Sequence, residues 1–198
     1  MKDIVDSFFQ QLAHVLEHVS CTGPEGVSLS RSEAYDRALN LSLEATSAGN
    51  KLMFIGNGGS AAIASHMAID FSKNGKMPAM CFNDGAALTC LGNDYGYEEV
   101  FAQQVRFHAR PGDVLFAISS SGKSENILRA VGVAQQSDCH IITMSGFLAD
   151  NPLRSMGELN FHVDVCDYGL VEVAHTALIH AIVELKRACT LETGELAG

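Results

Sequence analysis

Basic residues are scarce in this chain. Thirteen Lys and Arg face 23 Asp and Glu, a formal net charge of −10, and no Lys/Arg run stands out. That balance excludes a nucleic-acid phosphate backbone as the expected primary partner, because such binding rests on clustered positive charge. No stretch of about 18 apolar residues occurs, so no membrane span is expected. Residues 1–12 carry Lys2 but also Asp3 and Asp6, with no apolar core or cleavage pattern. No export signal is read there, and a cytoplasmic protein is expected. The six cysteines (Cys21, Cys81, Cys90, Cys139, Cys166 and Cys189) form no C-x-x-C pair. Neither a thiolate zinc site nor a redox motif is indicated, and small core residues are the expectation. Repeats, linkers and low-complexity segments are missing too. What remains is an ordinary globular composition, 47% hydrophobic and 18% charged over 198 residues. That length suits one domain with a sizeable core, so 1–198 reads as a single domain.

Val5, Phe8, Phe9, Leu12, Val15 and Leu16 fall on one helical stripe and predict a helix over 4–18. The stretch 20–28, rich in Gly, Pro, Ser and Thr, reads as a loop. A second helix is predicted over 31–48. Ser30 and Glu33 have capping-box spacing at its start, and Gly49 stops it. From Lys51 onward the pattern alternates. Short apolar runs lie at 52–55, 79–82, 113–118, 140–144 and 160–165. Helical stretches lie at 61–73, 86–91, 97–107, 124–136 and 170–188. Nearly continuous apolar strands alternating with helices predict a parallel sheet covered on both faces. With right-handed crossovers this is an α/β three-layer sandwich of five strands, preceded by two helices. Ligands of such sheets bind beyond the carboxyl ends of the strands.

Two loops at those ends carry the chemistry. Gly56-Asn57-Gly58-Gly59-Ser60 follows the first strand and opens a helix. Glycines let the backbone approach a ligand, and the helix N-terminus offers N–H groups and partial positive charge to an anion. The same loop reads G-x-G-x-x-A through Ala61, a weak dinucleotide fingerprint, with Asp84 near the end of the second strand. Ser119-Ser120-Ser121-Gly122-Lys123-Ser124 follows the third strand and puts four hydroxyls at another helix start. Its spacing is not that of a Walker loop. Two anion-suited loops at neighbouring strand ends point to one small phosphorylated ligand more than to a dinucleotide.

The titratable candidates lie on the flanking helices. His66 and Asp70 are four apart, on one helix face, and could share a metal ion or a proton. The closing helix holds Glu172, His175 and His180 among apolar residues, where His180 also fits a core histidine. Asp94, in Gly92-Asn93-Asp94-Tyr95-Gly96, reads as a loop residue able to reach the same mouth.

Together the glycine loop with His66, the Gly92–Gly96 segment, the serine loop running into Glu125-Asn126, and the closing helix resemble the SIS (sugar isomerase) domain family. Within it they resemble the phosphoheptose isomerases, over nearly the whole chain. The resemblance implies a flavodoxin-like sheet and a homotetramer with sites between subunits. It implies interconversion of D-sedoheptulose 7-phosphate and D-glycero-D-manno-heptose 7-phosphate, toward bacterial lipopolysaccharide or capsule heptose. By resemblance Ser60, Ser119, Ser120, Ser121 and Ser124 hold the phosphate, with Gly58 and Gly59 in the same loop. Asn57, Asp94 and Glu172 contact the sugar, and His180 is the general acid/base. A zinc ion is bound by His66, Asp70, Glu172 and His180.

Two positions depart from the family, which usually has Glu at Asp70 and Gln at Glu172. Asp is shorter by about 1 Å, a displacement that can cost roughly 10²-fold in rate if it is the base. Glu172 could strengthen metal binding or take over as base. The arginine that the family often places after the His-bearing helix is replaced by Lys73 and Asn74. An isomerase of another sugar phosphate, or a non-catalytic SIS adaptor of the DnaA initiator-associating type, are the alternatives that the changed carboxylates leave open.

Overall fold

The computed structural model describes residues 2–193. Helix α1 (Lys2–Glu17) leads, and α2 (Arg31–Ser47) follows it. The Ser30 hydroxyl accepts from the Glu33 amide while the Glu33 carboxylate accepts from the Ser30 amide, so the expected capping box forms. Five parallel strands come next: β3 (Leu52–Gly56), β4 (Ala79–Cys81), β5 (Val114–Ser119), β6 (His140–Gly146) and β7 (Leu159–Val163). Their order across the sheet is β4-β3-β5-β6-β7. This is the doubly wound 2-1-3-4-5 arrangement, whose switch point lies between the first and third strands, here β3 and β5.

The sheet has two further strands. Residues 20–28, expected as a loop, hold β1 (Ser20–Thr22) and the start of β2 (Ser28–Leu29), joined through a 3-10 turn at Pro24–Gly26. β1 runs antiparallel to β7, with Cys21 opposite Phe161, and β2 pairs outside β1. The five-stranded expectation is corrected to seven. Strands this short carry too little periodicity to show against their Gly and Pro neighbours. What holds β1 is the unpaired edge of β7 and the burial of the Cys21 side chain.

Successive residues of β3 serve opposite faces. Leu52 and Phe54 join Phe71, Phe116, Phe161 and Ile179 on one side. Met53 and Ile55 join Val105, Leu115, Ile127 and Ala130 on the other. Both faces are covered, so the strands read as continuous apolar runs. Helices α2, α3 (Gly59–Lys73) and α7 (Tyr168–Thr193) pack on the first side. Helices α4 (Gly85–Tyr95), α5 (Val100–His108) and α6 (Glu125–Gln136) pack on the second. By length and composition the stretch Tyr168–Leu191 could cross a membrane. Here Leu170, Val171, Ala174, Leu178, Ile179, Ile182 and Val183 are buried, so core packing accounts for its apolar character. Of the cysteines only Cys21 and Cys139 are buried. Cys81 is intermediate, and Cys90, Cys166 and Cys189 are exposed, a correction to the expectation that all fill the core.

Candidate active site

β3 and β5 end side by side, Gly56 in register with Ile118, and each chain end turns into a helix. At the end of β3 the left-handed φ of +55° at Gly58 makes the turn into α3. Asn57 is fixed across the switch point. Its Nδ2 donates to Asn126 Oδ1 at 2.8 Å, and its Oδ1 accepts from Asn126 Nδ2 at 3.0 Å and from the Tyr97 hydroxyl at 2.9 Å. This amide pair braces one loop against the other. Neither Asn126 nor Tyr97 was singled out from the sequence as a site residue, although Asn126 belongs to the recognised motif.

Between the loops lies a cavity of about 250 Å³ lined by Asn57, Gly58, Gly59, Ser60, Ile118, Ser119, Ser120, Ser121, Ser124, Tyr168 and Glu172. Every serine expected there is present. Ser119 Oγ accepts from the Gly122 amide at 3.1 Å, and Ser121 Oγ accepts from the Lys123 amide at 3.3 Å. Ser124 occupies the N-cap of α6 without making a side-chain cap bond, so capping does not consume its hydroxyl. The Ser120 hydroxyl is buried and has no partner. A buried polar group without a partner is rare and costly, and one in a cavity wall is placed for a ligand. The N-termini of α3 and α6 both open on the cavity and add their partial positive charge. No Lys or Arg lines it. A larger hollow of about 490 Å³, between α1 and the start of α7, is lined mainly by α1 side chains and stands apart from the strand ends.

Glu172 is the lining carboxylate. It packs on Gly59: a Cβ built there would lie 2.2 Å from Glu172 Oε2. Tyr168, one turn earlier on α7, was not predicted. The expected Asp94 is not in the lining. It is helical rather than in a loop, exposed near the end of α4, and accepts there from Asn93 and Cys90. Asp84 caps α4 by accepting from the Ala87 amide at 2.9 Å, a structural task that leaves the dinucleotide reading without its acid.

His66, Asp70 and His180 form a second group farther along the α3–α7 contact. His180 Nδ1 is 3.2 Å from Asp70 Oδ2, and His180 Nε2 is 3.2 Å from His66 Nε2. Asp70 Oδ1 accepts from the Asn74 amide. So His180 is not a core histidine; its side chain is 36% exposed. Of the two histidines on the closing helix His175 is the buried one, bonded to the Ser145 carbonyl at 3.0 Å. Among the described residues no three His, Cys, Asp or Glu side chains come together to hold a metal ion. The reason is directional. Asp70 addresses Nδ1, His66 faces Nε2 on another side of the ring, and Glu172 turns to Gly59. The residues expected to bind zinc are not brought to one point, and as placed they do not fit a four-ligand tetrahedral site.

A SIS-domain family model matches residues 8–146. A phosphoheptose isomerase from Citrifermentans bemidjiense is 37% identical over 160 residues, 78% of this chain and 83% of its own length. That from Nitratidesulfovibrio vulgaris is 35% identical over 189 residues, 86% of each chain. The chain belongs with the phosphoheptose isomerases of the SIS-domain family. The solved phosphoheptose isomerase from Neisseria gonorrhoeae, 31% identical, superposes with a TM-score of 0.81 over 93% of this chain and 98% of its own. In this SIS domain the closing helix, which supplies Tyr168, Glu172 and His180, lies beyond the stretch matched by the family model.

Proposed function

We propose that this isomerase interconverts D-sedoheptulose 7-phosphate and D-glycero-D-manno-heptose 7-phosphate, a step toward bacterial surface heptose. The observation that carries the reading is the buried, partnerless Ser120 hydroxyl among the serines of a cavity onto which two helix N-termini open. Neutral donors and helix dipoles suit a phosphate there. Asn57 acts through its brace to Asn126, and the sugar extends from the cradle along the α3–α7 contact.

Of the two carboxylates, Glu172 faces the cavity and Asp70 is bonded to His180, so Glu172 is the carbon base. It is eight residues from His180, about 12 Å of helix, and the two side chains reach the C1–C2 end of the sugar from opposite sides. In the ketose-to-aldose direction Glu172 takes a proton from C1. The C–H electron pair becomes the C1–C2 double bond, and the carbonyl pair moves onto O2. His180 receives the O1 proton and delivers it to O2. Protonated Glu172 returns its proton to C2 as C1–O1 becomes the carbonyl. No step passes through a metal, since the donor set does not fit one. Exposed apolar residues on α1, among them Ile4 and Phe9, support the homotetramer, with faces of this helix buried between copies.

The decisive assay is turnover of sedoheptulose 7-phosphate by the purified protein. Formation of the aldose supports the reading. A folded protein that binds the sugar phosphate without turning it over overturns it in favour of another sugar-phosphate substrate or an adaptor.

A further inference from the structure

One residue of the serine cavity has no task in the isomerisation. Tyr168, the first residue of α7, lines the wall across from the serine loop. We infer that the Tyr168 hydroxyl binds the phosphate of the substrate, and that Phe147, just past the end of β6, positions the phenol ring. The inference rests on the isomerase reading above and extends its phosphate cradle onto α7.

Tyr168 and Glu172 are four apart on α7 and share a helix face. Both line the cavity. Glu172 packs on Gly59, whereas Tyr168 stands at the mouth, 62% exposed. Its ring meets that of Phe147, and among the described residues its hydroxyl has no hydrogen-bond partner. No Lys or Arg lines the cavity, so an anion there is recognised by hydroxyls and backbone amides alone. A phenol is a further donor of that kind. Its bond to an ionised phosphate oxygen is stronger than the bond to water that it replaces.

The backbone beneath the ring is strained. Phe147 takes a left-handed φ of +59°. Three other non-glycine residues do so among the described ones, Glu25, Lys76 and Asp138, and all three are exposed and charged. Phe147 is half-buried, and its side chain has no polar atom to bond the backbone locally. A bulky residue in this region persists only where its surroundings hold it. Asn151 does so here. Its Nδ2 donates to the carbonyls on either side of Phe147, Gly146 at 3.3 Å and Leu148 at 2.8 Å. The strained turn secures the aromatic pair: Phe147 and Tyr168 meet edge to face, centroids 4.8 Å apart at 77°, an arrangement that aromatic rings favour.

The same turn is tied to the serine loop. A Cβ on Gly146 would lie 2.8 Å from Val171 on α7 and 3.0 Å from the Ser120 carbonyl oxygen. The end of β6 is thus wedged between the first turn of α7 and the phosphate loop. Asn151 Oδ1 leaves no room for a Cβ on Gly122, and the Leu153 amide donates to the Gly122 carbonyl at 3.2 Å. One short segment, 146–153, therefore sets the phenol on one wall against the serines on the other. A glycine at position 147 would take the left-handed φ without strain. What it would lack is the ring, and holding Tyr168 is the task that explains an aromatic residue there.

The test uses the full-length protein. Tyr168→Phe removes the hydroxyl and keeps the ring on Phe147, and at so exposed a position it should leave the Tm at the parental value. The Kd for inorganic phosphate and for sedoheptulose 7-phosphate, measured by calorimetry, should each rise about tenfold, the scale of a hydrogen bond to a charged group. In steady state KM should rise with them while kcat changes less than about threefold. Phe147→Gly accepts the left-handed φ and withdraws the support of the ring. It should raise both Kd values about fivefold in the parent and leave them unchanged on top of Tyr168→Phe, since a missing hydroxyl has no position to lose. Phe147→Leu repeats the comparison if the glycine variant does not fold. Parental Kd values in Tyr168→Phe overturn the proposal, and so does a loss of kcat at unchanged KM. A Phe147→Gly effect that multiplies with that of Tyr168→Phe overturns the positioning role. A parent that binds phosphate without turning the sugar over overturns the isomerase reading instead, and the Kd comparison still decides on Tyr168. A parent that binds no phosphate overturns the cradle and the proposal together.

Discussion

A single hydrogen atom is all that Gly59 presents to the Glu172 carboxylate. A Cβ there would meet Oε2 at 2.2 Å, Cδ at 2.3 Å and Oε1 at 2.5 Å, all at the far end of a movable side chain. The backbone at Gly59 is helical, so alanine suits it conformationally. Gly59→Ala should therefore fold with a near-parental Tm and force Glu172 aside. If Glu172 is the carbon base, turnover should fall by roughly 10²-fold, the scale for a displacement of about 1 Å. Calorimetry beside steady-state kinetics checks both halves. Glu172→Gln keeps the shape and removes the base, so it should cost more, about 10³-fold in kcat. The glycine density of this loop was legible in the sequence. Its reason was not, because the neighbour that demands Gly59 comes from a helix more than a hundred residues away.

At the scale of elements, the site is two strand-to-helix turns held in register. Asn57 and Asn126 exchange both amide hydrogen bonds across the switch point, and Tyr97 adds a third. Removing Asn126 leaves Asn57 Nδ2 half-buried without its acceptor, while Asn57 Oδ1 keeps the Tyr97 hydroxyl, at a cost of about 1–3 kcal/mol. Asn126→Ala should lower the denaturation midpoint accordingly. Through the loosened cradle it should also raise KM for the sugar phosphate more than it lowers kcat. Denaturant titration and initial rates test this. The helix boundaries followed from local signals, as at the Ser30–Glu33 capping box. The brace did not, because periodicity finds which face of a helix is apolar and not which loop its first turn touches. For the same reason β1 and β2 were hidden: two or three residues have no period, and only the β7 edge makes them strands.

The molecule as a whole carries a buried polar row between β6, β7 and α7. His162 Nδ1 is 3.0 Å from Ser145 Oγ, and His175 bonds the Ser145 carbonyl. His162 Nε2 and His175 Nδ1 are buried without partners. Burial pushes both histidines down to about 4, with the neighbouring Arg154 also lowering His162. The ordinary value is near 6.5, so between pH 6.5 and 4 the unfolded chain binds more protons than the folded one. Stability then rises with pH across that window, is complete above 6.5, and is lost on acidification by an amount on the order of a few kcal/mol. Urea midpoints measured from pH 7 to 4 should fall steadily. A His162→Asn variant, which keeps a polar partner for the Ser145 hydroxyl, should show a shallower slope.

The sequence by itself determined the alternation of apolar runs and helices, and hence a parallel sheet covered on both faces. It placed glycine and serine loops after the first and third parallel strands. These are local properties, written in periodicity and in residues that few conformations accept. Tertiary structure alone decided which carboxylate faces the cavity, which histidine is buried and which exposed, and that Asp94 stays outside. It also left Ser120 as the hydroxyl without a partner. Each of those depends on the approach of α7 to α3, or of one strand end to another. Side chains far apart in the chain compete there for the same space and the same protons, and no spacing along the sequence records the outcome.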